Sequence, residues 1–333
     1  MVGALALTPA ARSNVALSKN GQMLSEGLLV LPPIDFSISD HSTGRSIGVR
    51  VRIPLEEKPT GLILYSPGLG SGLSNGAVWC DAWQAAGYVV VNLSHPVTNE
   101  SLWDTARESF QENLKKALSP GQYAFRAKDC SSVLTYCMND AVLSKYIDPQ
   151  RIGIAGHSYG ALTVQAISGQ SVGGQSLRDE RIRAAIALSP GASSLERARL
   201  MSTVKIPFFS ITGDHDQFVT FKDGKSTMRL GTSLDKRLMI YQQLPTGKKQ
   251  LLILSDADHM TFAGEPVDPA RYSRDVNTTP AQQRMQWERV AELSKEFWRY
   301  YLSDANQSDT NGMLSFQQKM RSNQAAGDQL KFE

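Results

Sequence analysis

The stretch RIGIAGHSYGALTVQAIS occupies residues 151–168 and decides the fold. Its apolar start, RIGIA, predicts a strand buried on both faces, and the small-residue segment ALTVQAIS predicts a helix. Between them, Gly156, Ser158 and Gly160 form the pattern G-x-S-x-G. A sharp strand-to-helix turn favours glycine on both sides of the serine, because a Cβ there would crowd the strand against the helix. Such a turn exposes the serine hydroxyl, so Ser158 is a candidate nucleophile.

Apolar runs of strand length alternate with helical segments on both sides of this turn. Predicted buried strands cover residues 61–66, 88–93, 151–155, 184–188, 207–212 and 250–254, and predicted helices cover 76–86, 122–145, 159–168 and 280–302. This alternation predicts an α/β fold with a mostly parallel central sheet, right-handed crossovers and helices on both faces. Residues 34–40 and 46–53 alternate apolar and polar around a turn, which predicts an N-terminal β-hairpin.

The pattern of elements divides the chain into an N-terminal arm, one α/β domain and a polar C-terminal tail, at residues 1–33, 34–302 and 303–333. One helical stretch is predicted within the tail, near residues 313–320. Residues 96–121 form a longer polar connection and are a candidate cap insertion. The small apolar residues 1–18 resemble a signal remnant, which would make the protein periplasmic or secreted; otherwise it is expected in the cytoplasm.

The composition is typical of a globular protein, with 41% hydrophobic and 20% charged residues. A formal net charge of +3, without basic runs interleaved with aromatics, argues against a nucleic-acid partner. No segment reaches the roughly 20 apolar residues that span a bilayer, so we expect a soluble protein. Cys80, Cys130 and Cys137 form no C-x-x-C pair and are expected to be buried free thiols. None of these features predicts an oligomeric state.

A serine nucleophile requires a base, and the base requires an orienting carboxylate. Only His215 and His259 follow Ser158, and His259 comes just after the last predicted buried strand, where a loop can place its imidazole above the serine. The acid is expected in the loop after the preceding strand, which carries Asp214 and Asp216. The spacing G-x-x-D favours Asp216. Asp214 is the alternative acid, or else it caps the turn.

Acyl transfer also requires backbone N–H groups that stabilise the negative oxygen formed in the reaction. One such donor is expected directly after the nucleophile, at Tyr159. The other is expected in the loop after the strand predicted at residues 61–66, which continues as PGLGSG. Within this flexible loop we name Leu69 as the second donor.

Together these motifs resemble the bacterial hydrolases called predicted dienelactone hydrolases, which are similar to the secreted platelet-activating-factor acetylhydrolases. The resemblance covers roughly residues 34–302. It implies the α/β-hydrolase fold, no metal or other cofactor, and hydrolysis of carboxylic esters as small-molecule substrates. It also implies a nucleophile, an acid, a base and two oxyanion donors, which fall at Ser158, Asp216, His259, Leu69 and Tyr159, respectively.

Two positions depart from this family's pattern. Pro67-Gly68 stands where the relatives usually have His-Gly, and the missing imidazole alters the packing of the oxyanion loop. The ring of Pro67 restricts its own φ and replaces part of that rigidity. Ser158 stands where true dienelactone hydrolases commonly carry a cysteine, so that substrate does not carry over to this chain.

His95, Trp103 and Phe218 are the candidates for lining the substrate pocket. For His95 the alternative is a hydrogen bond at a strand end, and for the aromatic rings it is ordinary packing. If Phe110 joins these rings in a cleft, an aromatic polyester or phthalate esterase is a second hypothesis. An amidase or peptidase is a third. A non-catalytic binding protein of the same fold is a fourth, and the complete Ser, Asp and His set argues against it.

Overall fold

The computed structural model describes residues 31–55, 61–106, 108–222, 227–274, 276, 278–303 and 310–333. Nearly all of the predicted arm, and the whole signal hypothesis for residues 1–18, lie outside these residues. Within the described helices, none is both long enough and apolar enough to cross a membrane. The three cysteines are buried and unpaired, as the sequence predicts.

A nine-stranded sheet runs through the described part of the chain. Its strands in spatial order are β1 (Ile34–Asp40), β2 (Arg45–Arg52), β4 (Val89–Ser94), β3 (Leu62–Ser66), β5 (Ile152–His157), β6 (Ala184–Leu188), β7 (Phe208–His215), β10 (Lys249–Asp258) and β12 (Gln329–Phe332). The strands from β4 to β10 are parallel, whereas β2 is antiparallel to both of its neighbours and β12 is antiparallel to β10. The predicted mostly parallel sheet and the N-terminal hairpin are therefore confirmed.

Helices cover both faces of this sheet. They are α1 (Ala77–Ala85), α2 (Phe110–Ala117), α3 (Pro120–Asn139), α4 (Tyr159–Ser168), α5 (Leu195–Arg199), α6 (Leu234–Gln243), α7 (Pro280–Tyr301) and α8 (Thr310–Ser322). Successive side chains of β3 point to opposite faces. Leu62 and Leu64 pack in a cluster with residues of α3 and α4, whereas Ile63 and Tyr65 pack with residues of α1 and α7.

One helix is shorter than predicted. The sequence predicts a helix over residues 122–145, but α3 ends at Asn139 and a separate 3₁₀ turn covers Leu143–Tyr146. The side chain of Asp140 accepts hydrogen bonds from the N–H groups of Val142 and Leu143, both at 2.9 Å. Local bonds of this kind offer the backbone an alternative to the helix, so the helix stops there.

A second, three-stranded sheet was not predicted. It consists of β8 (Phe218–Lys222), β9 (Thr227–Gly231) and β11 (Tyr272–Ser273), paired antiparallel in the order β11-β8-β9. Val219 and Phe221 of β8 pack with Leu102 and Phe110 from the predicted cap insertion. Leu69 and Tyr159 belong to the same apolar cluster, so residues of the predicted cap insertion pack with elements predicted to carry the site.

The polar tail contributes more structure than the single helical stretch that the sequence predicts. Helix α8 is followed by β12, whose four residues extend the central sheet beyond β10. Phe316, Met320 and Leu330 are buried against residues of α7 and β10. A strand of only four residues has too short an alternation to stand out from sequence.

Phe316→Ala tests whether α8 packs on the domain. Phe316 is 3% exposed and Leu314, on the same helix, is 58% exposed. Loss of the buried ring is expected to lower the free energy of unfolding by about 3 kcal/mol or more. Leu314→Ala should change it by less than about 0.5 kcal/mol. Urea denaturation followed by tryptophan fluorescence measures both, and equal small effects would contradict this packing.

Candidate active site

Ser158 lies at the turn between β5 and α4 in a strained backbone conformation. Its φ of 56° and ψ of −114° are rarely adopted by a residue that carries a Cβ. A Cβ on Gly160 would overlap the carbonyl oxygen of Ser66, and a Cβ on Gly156 would lie 2.7 Å from the same oxygen. The two glycines therefore allow α4 to approach the end of β3, which is the physical reason for the G-x-S-x-G pattern.

A chain of hydrogen bonds joins the serine to a histidine and an aspartate. Ser158 Oγ lies 2.8 Å from His259 Nε2, and His259 Nδ1 lies 2.9 Å from Asp216 Oδ1. His259 opens a 3₁₀ turn directly after β10, and Asp258 and Thr261 cap this turn through reciprocal hydrogen bonds. The structure thus brings together three residues that are more than 40 positions apart in the chain.

The two candidate acids lie in different environments. Asp216 is fully buried beside His259. Asp214 is exposed, and its carboxylate accepts the N–H of Ala257 at 3.2 Å. Of the two candidates, Asp216 contacts the imidazole of His259, whereas Asp214 accepts from a backbone N–H of the neighbouring strand β10 rather than from the amides of its own turn.

The loop at residues 67–70 leaves one N–H group free. Pro67 has no N–H, and two others donate to neighbours, Gly68 to Asn75 Oδ1 at 3.2 Å and Gly70 to the Thr98 carbonyl at 2.9 Å. The N–H of Leu69 makes no hydrogen bond to any described residue. Since buried N–H groups normally have a partner, this free donor is a notable feature of the loop.

A second free donor lies on the other side of the turn. Tyr159 is the first residue of α4, where N–H groups have no partner within the helix. The loop runs alongside, because a Cβ on Gly68 would lie 3.6 Å from the Cβ of Ser158. The two predicted oxyanion donors, Leu69 and Tyr159, therefore flank the serine from two separate segments.

Known structures share this architecture. Neither models of known protein families nor curated proteins match the sequence. A dienelactone hydrolase from Anabaena variabilis superposes with a TM-score of 0.53 at 17% identity, over 81% of this chain and 99% of its own. The 2,6-dihydroxy-pseudo-oxynicotine hydrolase superposes with a TM-score of 0.52 at 14% identity, over 81% of this chain and 68% of its own. The chain has the α/β-hydrolase fold.

In the α/β-hydrolase fold the serine, the acid and the histidine follow one another along the chain, as Ser158, Asp216 and His259 do here.

Sequence reasoning missed the groups that surround the carboxylate of Asp216. Arg237 Nη2 lies 3.0 Å from Asp216 Oδ1, and the hydroxyls of Ser189 and Thr212 donate to the two carboxylate oxygens at 2.9 and 2.8 Å. These three residues come from α6, the end of β6 and β7.

The charge of Asp216 is stabilised by these neighbours. Burial alone would raise the pKa of the carboxyl, but the charge of Arg237 and the hydrogen bonds from His259 and Ser189 hold it well below its usual value. Arg237 also donates to the backbone carbonyls of Asp216, Ser189, Pro190 and Gln217. It therefore joins the loops after β6 and β7 around the acid.

A signal for Arg237 does exist in the sequence. Arg237, Ile240 and Tyr241 share the buried face of α6, at spacings of three and four residues. A charged residue on the apolar face of an amphipathic helix needs a buried partner, because an unpaired charge there is costly. The pattern therefore indicates a buried ion pair, but it does not identify the acidic residue that pairs with Arg237.

His95, a candidate for lining the substrate pocket, is enclosed by other side chains. It is fully buried, with Nε2 2.9 Å from Ser66 Oγ and Nδ1 2.9 Å from Asp129 Oδ2. Burial and the charge of the nearby Arg126 lower the pKa of His95 to about 4. The imidazole is therefore neutral at neutral pH, and the hydrogen-bonded alternative is the one observed.

Trp103 is half-buried within the predicted cap insertion and contacts the loop at residues 67–70. Its ring stacks on Phe110 at a centroid distance of 5.2 Å and on Phe221 at 6.1 Å, while its Nε1 donates to the carbonyl of Gly70 at 2.8 Å. Phe218 is half-buried at the start of β8, where the guanidinium of Arg229 lies 4.5 Å from its ring centroid. Both rings are therefore partly covered by neighbouring side chains.

One group of side chains has donor atoms suited to a metal ion. One ligand atom from each of Asp214, His215 and Asp256 lies within 4.8 Å of the others, and all three residues are exposed. Carboxylate oxygens and an imidazole nitrogen can bind a divalent cation. Exposed acidic groups of this kind are common without an ion, so the geometry alone defines no metal centre.

Arg237→Met tests the stabilisation of the buried acid. Removing the cation leaves Asp216 with an uncompensated charge, which is expected to cost about 3–5 kcal/mol of stability. Because the pKa of Asp216 is lowered by folding, this carboxylate stabilises the fold above about pH 4, and the contribution is lost as the pH falls. The variant should therefore unfold at higher pH than the wild type during acid titration followed by circular dichroism.

The matched control is Arg50→Met. Arg50 pairs with Asp35 at 2.7 Å, but both side chains are partly exposed, so the loss should be at most about 1 kcal/mol. If Arg237→Met and Arg50→Met gave the same acid-unfolding curve as the wild type, Arg237 would not stabilise the ionised acid.

Proposed function

We propose that this protein is a serine hydrolase that cleaves carboxylic esters with small or short acyl groups through an acyl-enzyme intermediate. The observation that carries the proposal is the continuous hydrogen-bonded chain from Ser158 Oγ through His259 to Asp216. This chain lies beside two free N–H donors. A nucleophile, a base, an orienting acid and an oxyanion hole are the parts that acyl transfer requires.

In the first half-reaction, His259 Nε2 takes the hydroxyl proton as Ser158 Oγ attacks the ester carbonyl carbon. The C=O bond opens to a tetrahedral oxyanion, which the N–H groups of Leu69 and Tyr159 bind. Collapse of this intermediate breaks the bond to the alcohol oxygen, which receives the proton from His259. The product alcohol leaves, and the acyl group stays on Ser158.

In the second half-reaction, a water molecule replaces the alcohol. His259 Nε2 takes a proton from this water as its oxygen attacks the acyl carbonyl, and the oxyanion again forms against Leu69 and Tyr159. Collapse releases the carboxylic acid and returns the proton to Ser158 Oγ.

The proposed acid, Asp216, orients the base rather than accepting its proton. Because the carboxylate is ionised and accepts hydrogen bonds, His259 carries its neutral-state proton on Nδ1, which leaves Nε2 free to accept the proton of Ser158. The neighbouring ring of His157 holds the backbone of the base, with Nε2 3.1 Å from the His259 carbonyl oxygen. Burial lowers the pKa of His157 far below its usual value, so this support is neutral.

The packing of the aromatic side chains near the site bears on the size of the substrate. Phe110 and Phe221 are buried and stack on Trp103. The ring faces therefore contact one another and do not form an open aromatic cleft. This packing favours a short-acyl esterase over an aromatic polyester or phthalate esterase.

Amide hydrolysis uses the same groups, so the geometry of the triad leaves the amidase alternative open. A matched ester and anilide with the same short acyl group separates the two. We expect the ester to be turned over faster, because its alcohol leaves more readily than the amine. Faster turnover of the anilide would favour an amidase.

Ser158→Ala should abolish hydrolysis of p-nitrophenyl acetate, with a loss of kcat of about 10⁴-fold or more. It should also abolish labelling by a fluorophosphonate probe, while the melting temperature stays near that of the wild type. A wild-type protein that neither hydrolyses esters nor takes up the probe would instead indicate a binding protein. Retained activity in the variant would rule out Ser158 as the nucleophile.

Asp216→Asn and Asp214→Asn form a matched pair that tests the acid. The first change removes the carboxylate that orients His259, and by analogy with other triads it is expected to lower kcat by about 10³–10⁴-fold. The second alters an exposed side chain that accepts a hydrogen bond from the backbone of β10, so kcat should stay within about twofold of wild type. Steady-state assays on one ester decide between them, and the reverse order of effects would make Asp214 the acid.

A further inference from the structure

A second Ser-His-Asp arrangement lies beneath the oxyanion loop, outside the proposed triad. Ser66 Oγ is 2.9 Å from His95 Nε2, and His95 Nδ1 is 2.9 Å from Asp129 Oδ2. The three side chains are fully buried, whereas Ser158 is partly exposed. Substrate cannot reach Ser66, so this array must serve some purpose other than nucleophilic attack.

The direction of its hydrogen bonds follows from the carboxylate of Asp129, which can only accept. The neutral His95 therefore donates from Nδ1 to Asp129, and its Nε2 accepts the hydroxyl proton of Ser66. A buried cation, Arg126, donates from Nη2 to Ser66 Oγ at 3.0 Å. Burial alone would raise the pKa of Asp129, but hydrogen bonds from His95 and Arg45 hold it below its usual value. The array thus links the cation to a buried carboxylate through two neutral side chains.

Arg126 contacts both segments that carry the proposed oxyanion donors. Its Nη2 also donates to the carbonyl of Pro67, two residues before Leu69. Its guanidinium carbon lies 4.6 Å from the ring centroid of Tyr159, which is a cation–π geometry. On a third side, Nη1 donates to Thr98 Oγ1 at 2.6 Å, and the carbonyl of Thr98 accepts the N–H of Gly70.

Stability alone does not account for this residue. Arg126 makes no ion pair with a carboxylate among the described residues, although its side chain is fully buried. Burial lowers the pKa of Arg126 to about 10, so the group stays charged at neutral pH. Removing an ion from water is costly even after relaxation, and an apolar side chain of similar size often packs at least as well.

We propose that Arg126 is a positioning residue for the oxyanion hole, held in place by the buried Ser66-His95-Asp129 array. By binding the Pro67 carbonyl and packing on the Tyr159 ring, it keeps the Leu69 and Tyr159 N–H groups directed at one point beside Ser158. The inference rests on the proposed hydrolase function and assigns Arg126 no contact with substrate.

The test compares Arg126→Met and Arg126→Lys with the wild type, using the full chain and p-nitrophenyl acetate. Active sites are first counted by titration with a fluorophosphonate, so that kcat is expressed per functional site. Arg126→Met should lower this kcat by about 10²-fold, since a displaced oxyanion donor acts in the transition state, and KM should change by less than about twofold. Arg126→Lys keeps the charge but not the planar fork, so we expect a smaller loss of about tenfold.

A boronic acid provides a second readout, because its adduct with Ser158 mimics the tetrahedral intermediate. Its inhibition constant should rise in Arg126→Met in proportion to the fall in kcat, which a loss of folded protein would not produce. The control is Arg289→Met, which breaks a partly buried pair with Asp328 far along the chain from the site. This variant should lose stability and keep the kcat per site of the wild type.

Two outcomes would overturn the proposal. One is a wild-type kcat per titrated site in Arg126→Met. The other is a fall in that kcat equal to the fall in Arg289→Met, which would reduce Arg126 to a general structural role. If Arg126→Met does not fold, Arg126→Lys alone decides, and an unchanged kcat and boronic acid affinity would count against positioning. Failure of the hydrolase proposal is distinguishable, because then the wild type itself neither takes up the probe nor turns over ester.

Discussion

The close approach of α4 to the end of β3 is the constraint on which the rest of the site depends. Only a residue without a Cβ fits at Gly160, where the helix meets the carbonyl of Ser66. Ser158, directly before this helix, has a positive φ of 56°, and the start of the helix lies next to the loop that follows β3. The proposed nucleophile and the loop proposed to form the oxyanion hole are therefore positioned by the same packing contact.

The parts that the sequence predicts well are those with a local physical signature. Buried parallel strands are short apolar runs, and the turn at Ser158 requires glycines at set positions. The chain order then leads to His259 and Asp216. The parts that it misses depend on pairing between distant segments. The strands β8, β9, β11 and β12 are short, and their apolar and polar residues alternate only weakly. The role of Arg237 depends on its ion pair with Asp216, which forms only when α6 packs beside that residue.

Two buried carboxylates of this protein are stabilised by the same types of side chain. Asp216 and Asp129 are both fully buried carboxylates, and each has an ion pair with an arginine and a hydrogen bond from a histidine that help to keep it ionised. The arginines, Arg237 and Arg45, come from elements distant in sequence from their partners. Such pairs contribute little net stability once desolvation is counted. Their effect is to fix the orientation of an imidazole and, with it, the proton that the imidazole carries.

The two Ser-His-Asp arrays show that residue types and distances do not define a catalytic site. In both, the serine oxygen is 2.8–2.9 Å from Nε2 and the aspartate is 2.9 Å from Nδ1. They differ in what surrounds the serine. Ser158 has strained backbone, partial exposure and free N–H donors alongside, whereas Ser66 is enclosed and accepts a hydrogen bond from a guanidinium. A hydroxyl that already accepts from a cation is a poor nucleophile, because the cation draws electron density away from its oxygen. The same three side chains can therefore act as a reactive group in one setting and as a buried support in the other.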